Sequence, residues 1–266
     1  PELVKLGGES RTITAFFSDL EGFTAISESL SPEEVMDFLN AYLDQMSQII
    51  LESKGTIDKF MGDGIMAFWG APLDCPEHAR LACHAALLQK KALPVINQLL
   101  EKKGLPKVSV RTGIHSGTAN IGNIGTRQKV EYTAIGDTVN LAARLESINK
   151  QYGTKLIISE VTQKELPEDY MVRKLDRIRV KGKSQAVNIY ELMGFKEDLS
   201  PSQQETQKNY EEGLVWYQRQ EWEKALKGFE KNPHDPPSQK MKKRIQVLSQ
   251  QKLPKNWDGV FIFEEK

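Results

Sequence analysis

Two short stretches of this chain put carboxylates where core packing gives them no reason to be. In Phe17-Ser18-Asp19-Leu20-Glu21-Gly22-Phe23-Thr24, Asp19 ends an apolar run and Gly22 turns the chain immediately afterwards. Such a turn exposes successive backbone N–H groups over Gly22, Phe23 and Thr24, a nest suited to phosphate oxygens. The second carboxylate, Asp63, occupies the tight turn Met61-Gly62-Asp63-Gly64. Two carboxylates brought together by adjacent strands form a hard oxygen site for Mg²⁺ or Mn²⁺. Taken singly, each has an ordinary explanation: Asp19 caps a turn and Asp63 is hairpin chemistry.

A further constellation runs from Thr133 through Gly136-Asp137 to Asn140 and Arg144. Asn140 and Arg144 are four residues apart, so they project from one face of the helix that Asp137 opens. An amide beside a guanidinium, facing a nearby Thr133, suits a ribose or a phosphate. An isolated N-x-x-x-R is more commonly a plain exposed helix face. Gly182-Lys183-Ser184 has the tail of a phosphate-binding P-loop, but Arg177 stands where the motif needs its first glycine.

The elements that must position these groups follow from pattern. Residues 11–18 are β-branched and aromatic, a buried strand. Ser31-Pro32-Glu33-Glu34 is a capping box that opens an amphipathic helix, which Gly55 stops. TIDKF and IMAFWG form a hairpin around the Asp63 turn. A helix from about Pro76 to Lys103 follows, then KVSVRTGIHSG and TANIGNIG, two strands punctuated by glycine. EYTAIG is a short strand, and Asp137 caps a helix reaching Asn149. KLIIS, YMVRKLDRIRV and VNIYELM add strands around a short helix after Ser159. Hairpin signals mixed with crossover signals exclude a purely parallel sheet and predict an α+β fold of ferredoxin-like or palm type.

Residues 1–10 read as an N-terminal junction, 11–194 as the main domain and 195–205 as a polar linker. Over 206–266, Gly213, Tyr217, Trp222, Ala225 and Phe229 match part of a tetratricopeptide signature, with the late proline early at Pro233. One such repeat cannot bury its own apolar face. The expectation is a helical hairpin that either docks on the main domain or offers a surface to a protein partner.

The 266 residues carry 36 Lys+Arg and 36 Asp+Glu, a formal net charge of zero, which argues against a generic nucleic-acid binder. The distribution is lopsided: −10 over residues 1–78 and +9 over 79–194. Two cysteines are too few for a disulfide framework, and no apolar run reaches the roughly 18 residues of a membrane span. A cytoplasmic setting is the expectation. The LGGE before the first strand suggests a fragment following an upstream sensor or membrane region.

Five motifs in order, FSDLEGFT, IDKFMGDGIMAFWG, RTGIHSG, EYTAIGDTVNLAARLE and VKGK, resemble the class III nucleotidyl cyclases over residues 9–194. The resemblance implies two metal-binding aspartates in Asp19 and Asp63, with the Leu20 carbonyl an extra ligand to two Mg²⁺ or Mn²⁺ ions. It implies that Lys59 and Thr133 read the base, that Asn140 positions the ribose and that Arg144 stabilises the transition-state phosphate. Lys181 and Arg111 match cations that hold the triphosphate. In the family the site lies across a head-to-tail dimer, so a homodimer with two symmetric sites is implied. Lys59 can only donate and Thr133 can accept, a pair that suits adenine, so ATP is the expected substrate and cyclic AMP with pyrophosphate the products. A guanylate cyclase, or a silent nucleotide-sensing module of the same fold, are the rival readings.

Overall fold

A computed structural model describes residues 6–126, 128–180, 185–254 and 257–263. The architecture is mixed α+β and divides into two compact units, Pro1–Ser147 and Ile148–Lys266. That division falls inside a helix, whereas the composition shift lies near Gly194.

In the first unit, β1 (Gly7–Glu21) is central, with β3 (Gly64–Trp69) and β4 (Ser109–Gly125) antiparallel on either side. β2 (Thr56–Met61) pairs with β3, and β5 (Val130–Ile135) with β4. Alternation along β1 sends Ile13, Ala15 and Phe17 to one face. They pack there with Met66, Phe68, Ala119, Ile121 and Ala134, under Val139 and Ala142 of α4 (Asp137–Tyr152). The opposite face carries Phe16, edge-on to Trp69 at 5.8 Å, and Thr14, whose hydroxyl lies 2.7 Å from His78 of α3 (His78–Lys102). A short α1 (Phe23–Ser29) precedes α2 (Pro32–Glu52), which starts with the expected capping box: Ser31 accepts from Glu34 N–H and Glu34 accepts from Ser31 N–H.

Two expectations change here. The glycine-punctuated region is one 17-residue strand, β4, because its glycines answer close approach and do not break the ladder. A Cβ at Gly113 would lie 2.1 Å from the backbone nitrogen of Glu146 on α4, and one at Gly122 would lie 2.1 Å from the Gly7 carbonyl. The helix after Gly136 includes Asp137 as its first residue and runs to Tyr152, three residues past Asn149.

In the second unit, β6 (Leu156–Ser159), β8 (Val187–Phe195) and β7 (Tyr170–Val180) are antiparallel neighbours, and the short α5 (Glu160–Lys164) follows β6. The expected linker over 195–205 is structured. Lys196–Asp198 form a 3-10 turn, and Ser200 with Gln203 forms a second capping box that starts α6 (Pro201–Gln218). Its polar residues are a helix start. The expected hairpin is α6 against α7 (Trp222–Glu230), with Tyr217 edge-on to Trp222 at 5.7 Å. It is extended by α8 (Pro236–Leu248) and by β9 (Phe261–Phe263), which pairs in parallel with Ile178–Val180 of β7.

Buried charges fasten these helices to β7. Arg173, 3% exposed, binds Glu191 of β8 and, at 2.8 Å, Asp235, the residue that caps α8. Asp176, 1% exposed, accepts from Tyr152 and from Arg244 of α8, whose guanidinium lies 3.9 Å from the Phe261 ring centre. Tyr210 of α6 donates to the Leu175 carbonyl at 2.8 Å. The extension therefore docks on the strands of its own unit.

Candidate active site

Register places the first cluster. Asp19 stands opposite Arg111 across the β1–β4 ladder. Arg111 Nη2 donates to Asp19 Oδ2 at 2.6 Å, and its Nε donates to Glu146 Oε1 of α4 at 3.1 Å. Asp63 sits in the β2–β3 turn, which Gly62 makes possible by taking a left-handed φ of 66°. Burial pushes the Asp63 carboxyl above its ordinary range, and the charge of Asp19 adds to the effect. Hydrogen bonds from its own N–H and that of Leu20, with the charge of Arg111, oppose it. Burial likewise raises Glu146 against the pull of Arg111, and raises the Tyr42 hydroxyl, with Asp63 and Asp19 contributing.

A partly buried carboxylate, Asp63, whose ionisation burial and the neighbouring Asp19 charge disfavour, is relieved by a divalent cation, so Asp19 and Asp63 fit the metal role. Among the described residues no third His, Cys, Asp or Glu joins them to make a three-ligand group. Gly22 has the left-handed φ of 93° expected of its turn, the Phe23 ring stacks on Phe38 at 6.4 Å, and the Thr24 carbonyl accepts from Ser27.

The second cluster lines a cavity of about 650 Å³ that contains Lys59, Thr133 and Asn140, walled by Phe17, Val139 and Ala143. Neither Asp19 nor Asp63 lines it. Asp58 joins Lys59 and Thr133: its Oδ2 accepts from the Thr133 hydroxyl at 2.6 Å and from Ala134 N–H at 3.1 Å, and Lys59 Nζ is 3.3 Å from Oδ1. Lys59 also donates to Glu131 at 3.2 Å. Burial lowers the Lys59 ammonium, but its carboxylate partners, Glu131 and Asp58, outweigh that and hold it above its ordinary value. Arg144, one turn beyond Asn140 on α4, is exposed. Lys181 lies outside the described residues.

Asp58, Glu131 and Glu146 escape a reading by motif. A bulge in β2 between Ile57 and Lys59 breaks the alternation at Asp58. A carboxylate within the first strand of the hairpin, next to Lys59 and away from the turn, is the one local signal that points to it.

Residues 8–194 match the family model for the adenylate and guanylate cyclase catalytic domain. The chain belongs to that family. Adenylate cyclase 1 of Rhizobium meliloti (strain 1021) is 40% identical over 203 residues, 73% of this chain, and the adenylate cyclase of Anabaena cylindrica is 41% identical over 200 residues, 72% of it. The aligned parts span 30% and 39% of those two relatives. Among solved structures, the adenylyl cyclase CyaB from P. aeruginosa superposes with a TM-score of 0.67 at 37% identity, covering 73% of this chain and all of that one. The guanylyl cyclase Cya2 superposes at 0.66 and 36% identity, covering 72% and 96%.

Proposed function

We propose that this chain is an adenylate cyclase catalytic domain that converts ATP to 3′,5′-cyclic AMP and pyrophosphate. Overall likeness does not choose the base, since a guanylyl cyclase superposes as well as an adenylyl cyclase. The observation that carries the reading is the Lys59–Thr133 pair in one cavity with Asn140. Adenine presents an acceptor at N1 and a donor at its exocyclic amine. Lys59 donates to the first and Thr133 accepts from the second; guanine reverses both edges.

The reaction is attack of the ribose 3′ oxygen on the α-phosphorus, with the bond to the pyrophosphate oxygen breaking. Asn140 orients the ribose, and Arg144 meets the charge that develops on the transferring phosphoryl group. Arg111 and Lys181 hold the triphosphate. Asp19, Asp63 and the Leu20 carbonyl hold two Mg²⁺ or Mn²⁺ ions, which when bound acidify the 3′ hydroxyl and neutralise phosphate charge. Asp19 and Asp63 do not line the cavity of Lys59, Thr133 and Asn140. This separation supports a head-to-tail homodimer in which each site takes its aspartates from one copy and its base-reading cavity from the other.

The test is turnover of the purified chain with ATP and with GTP, in Mg²⁺ or Mn²⁺, across protein concentration. Cyclic AMP formation with a strong preference for ATP, and specific activity that rises with concentration, are expected. Comparable rates with GTP refute the base assignment, and wild-type turnover after Asp63→Ala refutes the metal assignment. Failure to turn over either nucleotide would leave the silent sensor as the better account.

A further inference from the structure

We infer that Asp58 is the positioning residue that makes the cavity selective for adenine, by fixing the direction of the Thr133 hydroxyl. The inference rests on Lys59 and Thr133 being the base-reading pair, and adds what sets their polarity. A threonine hydroxyl is both donor and acceptor, so by itself it accepts from the adenine amine or donates to the guanine carbonyl equally well. Thr133 does not discriminate until something commits its proton.

Asp58 does so. Its side chain is 1% exposed; the Thr133 hydroxyl at 2.6 Å and Ala134 N–H at 3.1 Å both donate to Oδ2, and the Lys59 ammonium forms an ion pair at 3.3 Å with Oδ1, which takes no hydrogen bond. Surrounded by donors, the carboxylate has no role but acceptor. The Thr133 proton points at Oδ2, and the oxygen's remaining lone pairs are what it offers the cavity it lines. The backbone fixes the arrangement. Asp58 sits at the β2 bulge, and Ala134 N–H ties the same oxygen to β5, so the carboxylate cannot swing away without losing both bonds. One buried side chain thus orients the acceptor and anchors the donor of the pair.

The test compares kcat/KM for ATP and GTP in the intact chain bearing Asp58→Leu, Asp58→Asn or Thr133→Val. Leu keeps the branched shape of Asp, is bulkier and has no acceptor, so the Thr133 hydroxyl is released to donate. The ATP:GTP ratio should fall about tenfold, roughly the worth of one hydrogen bond, with part of the change a gain on GTP. Asn retains an oxygen for Thr133 and Ala134 N–H, so Asp58→Asn should hold the ratio within about threefold of wild type, whatever happens to KM through Lys59. Thr133→Val should lose the same discrimination, and adding Asp58→Leu to it should lower the ratio no further.

A ratio unchanged in folded Asp58→Leu overturns the inference, as do additive effects in the double variant. Should Asp58→Leu fail to fold, collapse of the ratio in Asp58→Asn overturns it, because charge would then be acting in place of the acceptor. A wild-type ratio at or below one overturns the ATP reading itself and this inference with it. An intact wild-type preference that Asp58→Leu leaves in place removes only the role of Asp58.

Discussion

On the proposed metal role of Asp19, Arg111 and the ions would compete for the same carboxylate, and Arg111→Met measures the competition. Met keeps the length and apolar stem and deletes the charge. In the structure Arg111 donates to Asp19 at 2.6 Å, with the two side chains 17% and 36% exposed. A fully exposed ion pair is worth about 0.2–1 kcal/mol, and a hydrogen bond to a charged group about 1.5–3 kcal/mol. The partial exposure of Asp19 places this contact near the junction, about 1.5 kcal/mol. Removing that competitor should tighten Mn²⁺ binding about tenfold. The same change strands Asp19, Asp63 and Glu146 without their shared cation, so the metal-free variant should melt lower and gain more from added Mn²⁺. Mn²⁺ titration by calorimetry, with melting curves at each concentration, reads both effects. On the proposed role of Arg111 toward the triphosphate, the KM for ATP should rise. A folded Arg111→Met protein that binds Mn²⁺ no tighter than wild type refutes the competition.

Three other outcomes are expected. On its proposed role at the transition state, Arg144→Ala should lower kcat on the order of 100-fold, and with the side chain exposed on α4 the melting midpoint should change little; steady-state kinetics and circular dichroism separate the two. Arg244→Ala leaves Asp176 buried without its cation and should cost about 3–5 kcal/mol in chemical denaturation, with replacement of both residues by apolar ones recovering most of it. Glu34 is held below the ordinary carboxylate value by its hydrogen bonds to Ser31 N–H and the Ser31 side chain. A lowered folded pKa stabilises above the unfolded value of 4.5 and ceases to as pH falls through the folded value. The gap in melting midpoint between wild type and Glu34→Ala should therefore be fully present above the unfolded value of 4.5 and narrow as the pH falls below it.

What could be read in the sequence was local. Ser31-x-x-Glu34, the glycine-flanked Asp63 turn and the four-residue spacing of Asn140 and Arg144 all express their geometry within a few residues. The signals that failed depend on partners distant in the chain. Gly113 and Gly122 look like strand breaks until α4 and Gly7 are seen lying against them. Asp58 meets Thr133 and Ala134 from 75 and 76 residues away. Arg244 follows Lys240, Lys242 and Lys243 in the chain, and only the fold singles it out by burying it against Asp176 and Tyr152. The polar run after Phe195 has a linker's composition, yet its serine and glutamine spend their polarity on a helix start.

The bare contact at Gly113 has a mechanical consequence. α4 carries Asn140 and Arg144, and it rests on the backbone of β4 with no side chain between them as a cushion. β4 is in turn laddered along fifteen residues of β1, which ends at Asp19 and Glu21. A hard stop bonded to a full-length ladder leaves no slack through which α4 could slide while Asp19 stays still. The strand end that carries Asp19 and the helix that carries Asn140 and Arg144 thus travel as a single lever. A displacement applied to either end is therefore passed to the other, because the contact between α4 and β4 has no side chain to absorb it.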